Sequence, residues 1–183
     1  QFIQADATSW RGLIQALELT GEIIVDRVKE DILSFLAEHG ADAGHVLAMH
    51  PFYHQRVIHY SPPEKDSLPA ALESLVADGL LEERNGNYFL TEQGLSRIYP
   101  GGEAQAVIEV KDDILDFFNS GNARVGHAFS ARPFNAQYAM KYNPVQSRAI
   151  KQAASELVQE GALEERDGGL FLTQAGYDRI YAA

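Results

Sequence analysis

The sequence predicts a mostly helical α+β protein built from two small tandem modules. Three observations predict it. Displaced by 82 residues, the chain lies on itself without a gap: residues 28–99 meet residues 110–181, with 30 of the 72 positions identical. Within each copy, apolar residues recur at helical spacing. Near the end of the first copy, Leu81 to Arg84 and Tyr88 to Leu90 flank Asn85-Gly86, a strong two-residue hairpin turn signal, and Asp167-Gly168 does the same in the second. Two copies are too few for a solenoid, so the repeat reads as two domains. The expected organisation is an N-terminal helical extension at 1–25, a first module at 26–100, a linker at 101–107 and a second module at 108–183. Pro100-Gly101-Gly102-Glu103 marks the joint.

In the extension, Trp10, Leu13, Ile14 and Leu17 share one helical stripe, and Thr20-Gly21 is expected to stop it. Such a stripe needs somewhere to pack, either the first module or a second copy of the chain. The first helix of each module carries Val28, Ile32, Phe35 and Leu36, or Val110, Ile114, Phe117 and Phe118, and is closed by Gly40 or Gly121-Asn122. Gly44 to Met49 and Gly126 to Ala131 follow as brief strands or irregular segments. A second helix is expected to start at Phe52 or Phe134. Tyr60-Ser61-Pro62 and Tyr142-Asn143-Pro144 end it, and Ser61 and Asn143 then cap a third helix whose first position suits proline. Ser61-Pro62-Pro63-Glu64 also fits a capping box. In the second copy Ile150, Ala154, Leu157 and Val158 are expected to face inward. In the first, Pro69 should break or shorten the third helix, because an interior proline costs about 3 kcal/mol. Thr91 and Thr173 cap a short last helix after each hairpin.

Composition narrows the function. The net charge of −11 disfavours whole-surface attraction to nucleic acid or anionic lipid but leaves room for a local basic face. The chain has no cysteine, which excludes disulfides and thiolate metal sites and makes a reducing cytoplasm the default location. No run reaches the roughly 18 apolar residues of a membrane span, so a soluble protein is expected. The opening residues, Gln1-Phe2-Ile3-Gln4, do not read as a leader peptide.

The order helix, short strand, helix, helix, hairpin, helix resembles the winged-helix branch of the helix-turn-helix proteins. Tyr138-Ala139-Met140-Lys141-Tyr142-Asn143-Pro144 through Leu157-Val158-Gln159-Glu160-Gly161-Ala162-Leu163 looks like that superfamily's second helix, turn and recognition helix. Leu80-Leu81 to Tyr88-Phe89-Leu90-Thr91-Glu92-Gln93-Gly94 looks like the wing and the helix after it. The resemblance covers nearly all of both modules. It implies tandem winged-helix domains like those of transcription regulators, with the third helix entering the major groove of double-stranded DNA. The modules depart from the pattern in a long link between helices one and two and in short wings, which argue against wing-mediated DNA contact.

Charge separates the copies. From Phe117 to Ser155 there is no Asp or Glu, yet Arg124, Arg132, Lys141, Arg148 and Lys151 all fall there. Opposite the apolar stripe of the second copy's third helix lie Arg148, Lys151, Gln152 and Ser155. Arg and Lys suit guanine O6 and N7, and Gln suits adenine. Adding Gln146, Ser147 and Arg166, these residues form the expected nucleic-acid-binding set. The matching face of the first copy holds Asp66, Pro69, Ala70 and Glu73. Residues 28–99 have a net charge of −6, and residues 110–181 of −1. The expected function is therefore a non-enzymatic DNA-binding transcription regulator acting through the second module. The alternative is an acidic adaptor that binds a protein partner.

Other groups carry less. His45, His50, His54 and His59 cluster in the first copy, but Pro51 suggests a helix starting after His50, and only His45 recurs, as His127. The recurrent Gly-His is expected to bond a backbone carbonyl. Neither a metal nor a cofactor is expected. No phosphate-cradling glycine motif or nucleophile elbow is present, and the Glu82-Glu83 and Glu164-Glu165 pairs sit on strands where neighbours point to opposite faces. A homodimer through the N-terminal helix is the expected mode of self-association, if any.

Overall fold

The computed structural model describes residues 7–182, with side chains from residue 18 onward. The described residues fall into two compact units, divided between Ile98 and Tyr99, each mostly helical with one small antiparallel hairpin. Among the described residues, no helix is long and apolar enough to cross a membrane.

The first unit opens on α1 (Ala7–Glu38). This helix continues through Thr20-Gly21, so the expected stop does not occur. Glycine in a helix interior costs only about 1 kcal/mol, and Gly21 has a φ within the ordinary right-handed range. The packing of Trp10, Leu13, Ile14 and Leu17 lies outside the described side chains. Further along, Val28, Ile32, Leu33, Phe35 and Leu36 are buried. Gly40, at φ +61°, turns the chain out of the helix, and the Ala41 N–H reaches back to the Leu36 carbonyl at 2.9 Å.

Next come α2 (Met49–Gln55), a 3-10 turn (Val57–His59) and α3 (Pro62–Ala77). The second helix thus starts three residues before Phe52. Pro51 is no obstacle in the first turn, where an N–H has no intrahelical partner to lose. The third helix is continuous through Pro69, against expectation. Pro69 and Lys65, whose carbonyl loses its donor, are both exposed, so the helix is interrupted on its solvent side rather than in the core. Buried Ala71, Leu72 and Leu75 hold the helix onto α1. At its start the Glu64 carboxylate accepts from the Ser61 N–H (2.8 Å) and hydroxyl (2.7 Å), which keeps that carboxyl below its usual range.

Strands β1 (Leu81–Arg84) and β2 (Asn87–Leu90) pair antiparallel, with Leu81 opposite Leu90. Asn85 and Gly86 have φ of +53° and +77°, as a type I′ turn requires. The segment after α1 joins this hairpin by one bridge, Val46 to Phe89, and by Gly44 N–H to Leu90 O and Leu47 N–H to Tyr88 O, both 2.7 Å. Helix α4 (Glu92–Ile98) ends the unit, its Gly94 N–H capped by the Thr91 hydroxyl at 2.9 Å.

The second unit contains α5 (Gly102–Ser120), α6 (Ala131–Gln137), a 3-10 turn (Ala139–Lys141), α7 (Pro144–Gln159), β3 (Leu163–Arg166), β4 (Gly169–Leu172) and α8 (Gln174–Tyr181). The stretch expected as a linker, 101–107, is mostly helix. Gly101 takes a left-handed φ of +97° at the N-cap, and buried Ala106 and Val107 extend the apolar stripe of α5 backwards. As in the first unit, a bridge (Ala128 to Phe171) ties the segment after the first helix to the hairpin, and Thr173 caps the last helix. Phe134, 1% exposed, sits at the centre of the core, where full burial is worth about 1.5–3 kcal/mol.

Candidate nucleic-acid interface

Helix α7 presents the candidate face, and its cap fixes where that face begins. The Asn143 carboxamide accepts from the Gln146 N–H at 2.9 Å, and the Gln146 side chain accepts in return from the Asn143 N–H at 3.1 Å. Pro144 follows as the first helical residue. From there the buried line is Val145, Ala149, Ala153 and Leu157. Leu157 is buried as the sequence suggests. Ile150, Ala154 and Val158 are only half-buried, so the inward direction is rotated by about one residue from the one expected. Opposite that line, Ser147, Arg148, Lys151, Gln152 and Ser155 are all exposed on one side of the helix.

Not every expected residue belongs to that side. Gln146 is half-buried and donates to Glu109 on α5 at 2.8 Å, so it serves the cap and the helix packing. Arg166 lies on β3, 4.5 Å over the Phe171 ring and 3.5 Å from the Glu164 carboxylate, which occupies its charge locally. Arg124, Arg132 and Lys141 are exposed, but on three different segments: the loop after α5, the first turn of α6 and the 3-10 turn. Among the described residues, no carboxylate forms an ion pair with Arg124, Arg132, Lys141 or Lys151.

One acid sits at the end of the face, and its partners come from a helix distant in sequence as well as from the face itself. Glu156 accepts from Gln152 at 3.0 Å and from Lys111 of α5 at 3.2 Å. Both bonds, Gln152 first, hold its carboxyl below the usual range. Lys111 also pairs with Glu160, which in turn binds Arg179 of α8 at 2.8 Å. Lys111 thus offsets the charge of Glu156, and its own ammonium is held above its usual range, chiefly by Glu160. Two tyrosines anchor the turn before α7. Tyr142 donates to Asp113 at 2.8 Å and Tyr138 to Asp116 at 2.7 Å, which satisfies two acids of α5 within the unit. Burial and the adjacent Asp113 push the Tyr142 phenol well above its ordinary range.

The corresponding side of α3 carries exposed Lys65, Asp66, Pro69, Ala70 and Glu73, one cation against two acids. In the same unit, His50 and His54 do share a face of α2, their rings 4.5 Å apart, because that helix includes His50. Among the described residues, no group of three or more His, Cys, Asp or Glu is placed to hold a metal ion. The recurrent histidine does not bond a carbonyl. The Nδ1 atoms of His45 and His127 accept from the Asp42 and Arg124 N–H groups, each at 3.1 Å, and so clamp the loop that carries Arg124. Glu82 and Glu164 pair with Arg84 and Arg166 along their strands, while Glu83 accepts from the Gly86 N–H at 2.5 Å in the turn.

No protein-family model, curated protein or solved structure matches the chain.

Proposed function

We propose that the chain is a pair of winged-helix domains derived from one duplicated module, and that its second unit contacts double-stranded DNA through α7. On this reading it is a non-enzymatic transcription regulator of the cytoplasm. The observation that carries the reading is the exposed side of α7, where Ser147, Arg148, Lys151, Gln152 and Ser155 lie together within a 39-residue window, 117–155, that has no acid. Arg148 and Lys151 suit guanine edges, Gln152 suits adenine, and the serines suit phosphates. Arg124, Arg132 and Lys141 would then meet the backbone rather than the bases. Support for the fold comes from the order of elements and from the bridge that adds the segment after each first helix to the hairpin. Support for a division of labour comes from α3, where Asp66 and Glu73 would face phosphates with Lys65 as the one cation at the five matching positions.

A protein partner is the second reading, and exposed apolar residues favour it. Met140 is 81% exposed and Val125 48% in the second unit. On α1, Leu19 and Ile23 stand exposed one turn apart, which suits self-association through that helix. Binding of labelled duplex DNA to the full chain, compared with an Arg148→Glu, Lys151→Glu variant, separates the two. Loss of binding in the variant supports the DNA reading, and failure of the unaltered protein to bind at low salt leaves the adaptor.

A further inference from the structure

Each unit has a cleft at the same place along its chain: between the end of its first helix, the bridging segment and the first turn of its second helix. Phe35, His39, His45 and Pro51 contribute to it in the first unit, and Phe117, Gly121, His127 and Pro133 in the second, every pair 82 residues apart. The two differ in room, at about 140 Å³ in the first unit and about 290 Å³ in the second. One difference between them is a side chain. The His39 imidazole lies on the Phe35 ring, centroids 4.1 Å apart, with Nδ1 2.8 Å from the Phe35 carbonyl. Gly121 leaves that place empty of side chain in the second unit, and the Phe117 carbonyl takes the Ser120 hydroxyl at 3.1 Å instead. The walls change as well. Phe118 stands where the first unit has Leu36, and Phe129 packs edge-on behind Phe117 at 5.5 Å. The second cleft is thus roomier and more aromatic, with the Ser130 hydroxyl and the Gln137 amide at its edge.

We propose that the cleft of the second unit binds an uncharged planar aromatic molecule, seated against Phe117 as His39 is seated against Phe35. The first unit supplies the argument for this occupant, because its own ring fills the equivalent space. Offset or tilted ring contact with Phe117 provides the attraction, and Gln137, whose amide donates to the Tyr138 hydroxyl at 3.3 Å, keeps its carbonyl oxygen to accept an N–H from the bound ring. The inference rests on the equivalence of the two units and is independent of DNA contact.

Indole is the probe, titrated into the ¹⁵N-labelled full chain without DNA. Saturable shifts are expected at residues 117–118, 126–130 and 137, with a dissociation constant on the order of 1 mM, as suits a ligand of so few atoms. Gly121→His, allowed by the ordinary φ of −81° there, should fill the cleft and weaken binding at least about tenfold. His39→Gly should open the first cleft and add saturable shifts at residues 35–36 and 44–48. That second variant decides the matter if the first fails to fold. The proposal is overturned if the unaltered protein shows no saturable shift, if folded Gly121→His binds as before, or if His39→Gly gains no second site.

Discussion

Replacing Gly176 with alanine tests a close backbone approach in the second unit. Gly176 lies in α8 with its N–H on the Thr173 hydroxyl at 3.0 Å, and the Ala162 carbonyl, which accepts from the Thr173 N–H at 3.2 Å, rests against its Cα. A Cβ at this position would stand 2.1 Å from that carbonyl oxygen and 2.8 Å from the Leu172 side chain. Contact needs roughly 1 Å more, and the oxygen cannot withdraw without breaking the bonds that join the end of α7 to the cap of α8. Overpacking of this kind costs up to about 3 kcal/mol, while a glycine-to-alanine change in a helix returns about 1 kcal/mol. The net expectation is a loss of about 2 kcal/mol, which in a unit of this size lowers Tm by roughly 8–16 °C. Differential scanning calorimetry of the full chain reads it, with Gly94→Ala as the counterpart in the first unit, where the Leu80 carbonyl would stand 2.2 Å from the new Cβ. An unchanged or raised Tm would show that α8 packs otherwise and would refute the reasoning.

Two further outcomes follow from single side chains. Pro69→Ala should stabilise the first unit by about 2 kcal/mol, since an exposed interior proline costs about 3 kcal/mol in a helix and returns up to about 1 through the unfolded chain; a lower midpoint in urea would contradict the continuous α3. Tyr142→Phe should cost about 1 kcal/mol at neutral pH for the lost bond to Asp113. Because burial raises the folded phenol above its ordinary pKa near 10, its contribution is complete below that pH and fades as pH rises above it. Melting between pH 8 and 11 should therefore show the difference between variant and unaltered protein shrinking, and a difference that grows would reverse the assigned sign.

Local chemistry made much of the fold legible in the sequence. Asn-Gly and Asp-Gly demand positive φ at both turn positions, and Thr91, Thr173 and Asn143 have the side-chain oxygens a helix start requires; each does what the sequence suggests. The helix boundaries were less legible, because a glycine or proline does not by itself end a helix that packing holds. Gly21 costs about 1 kcal/mol and Pro51 little in its first turn, while the larger cost of Pro69, about 3 kcal/mol, is outweighed by packing of Ala71, Leu72 and Leu75. The candidate face was legible because an exposed helix side shows in charge pattern alone. The exclusion of Gln146 and Arg166 from it was not, because their partners, Glu109 and Glu164 with Phe171, are fixed by helix packing and strand register. The hold of Lys111 on Glu156 spans 45 residues of sequence, a separation that no local pattern reveals.

The central claim is that the exposed side of α7 meets DNA, and a salt titration tests it most directly. Fluorescence anisotropy of a labelled random duplex with the full chain should give an affinity that falls linearly with the logarithm of salt concentration. The slope should be about −0.9 for each phosphate neutralised, and so no steeper than about −4.5 for Arg124, Arg132, Lys141, Arg148 and Lys151 together. Arg148→Glu with Lys151→Glu should abolish binding, whereas Asp66→Ala with Glu73→Ala should leave it unchanged or slightly stronger. All four positions are exposed, so neither pair should cost much stability. No binding by the unaltered protein at low salt, or binding that survives the charge reversal, would contradict the account.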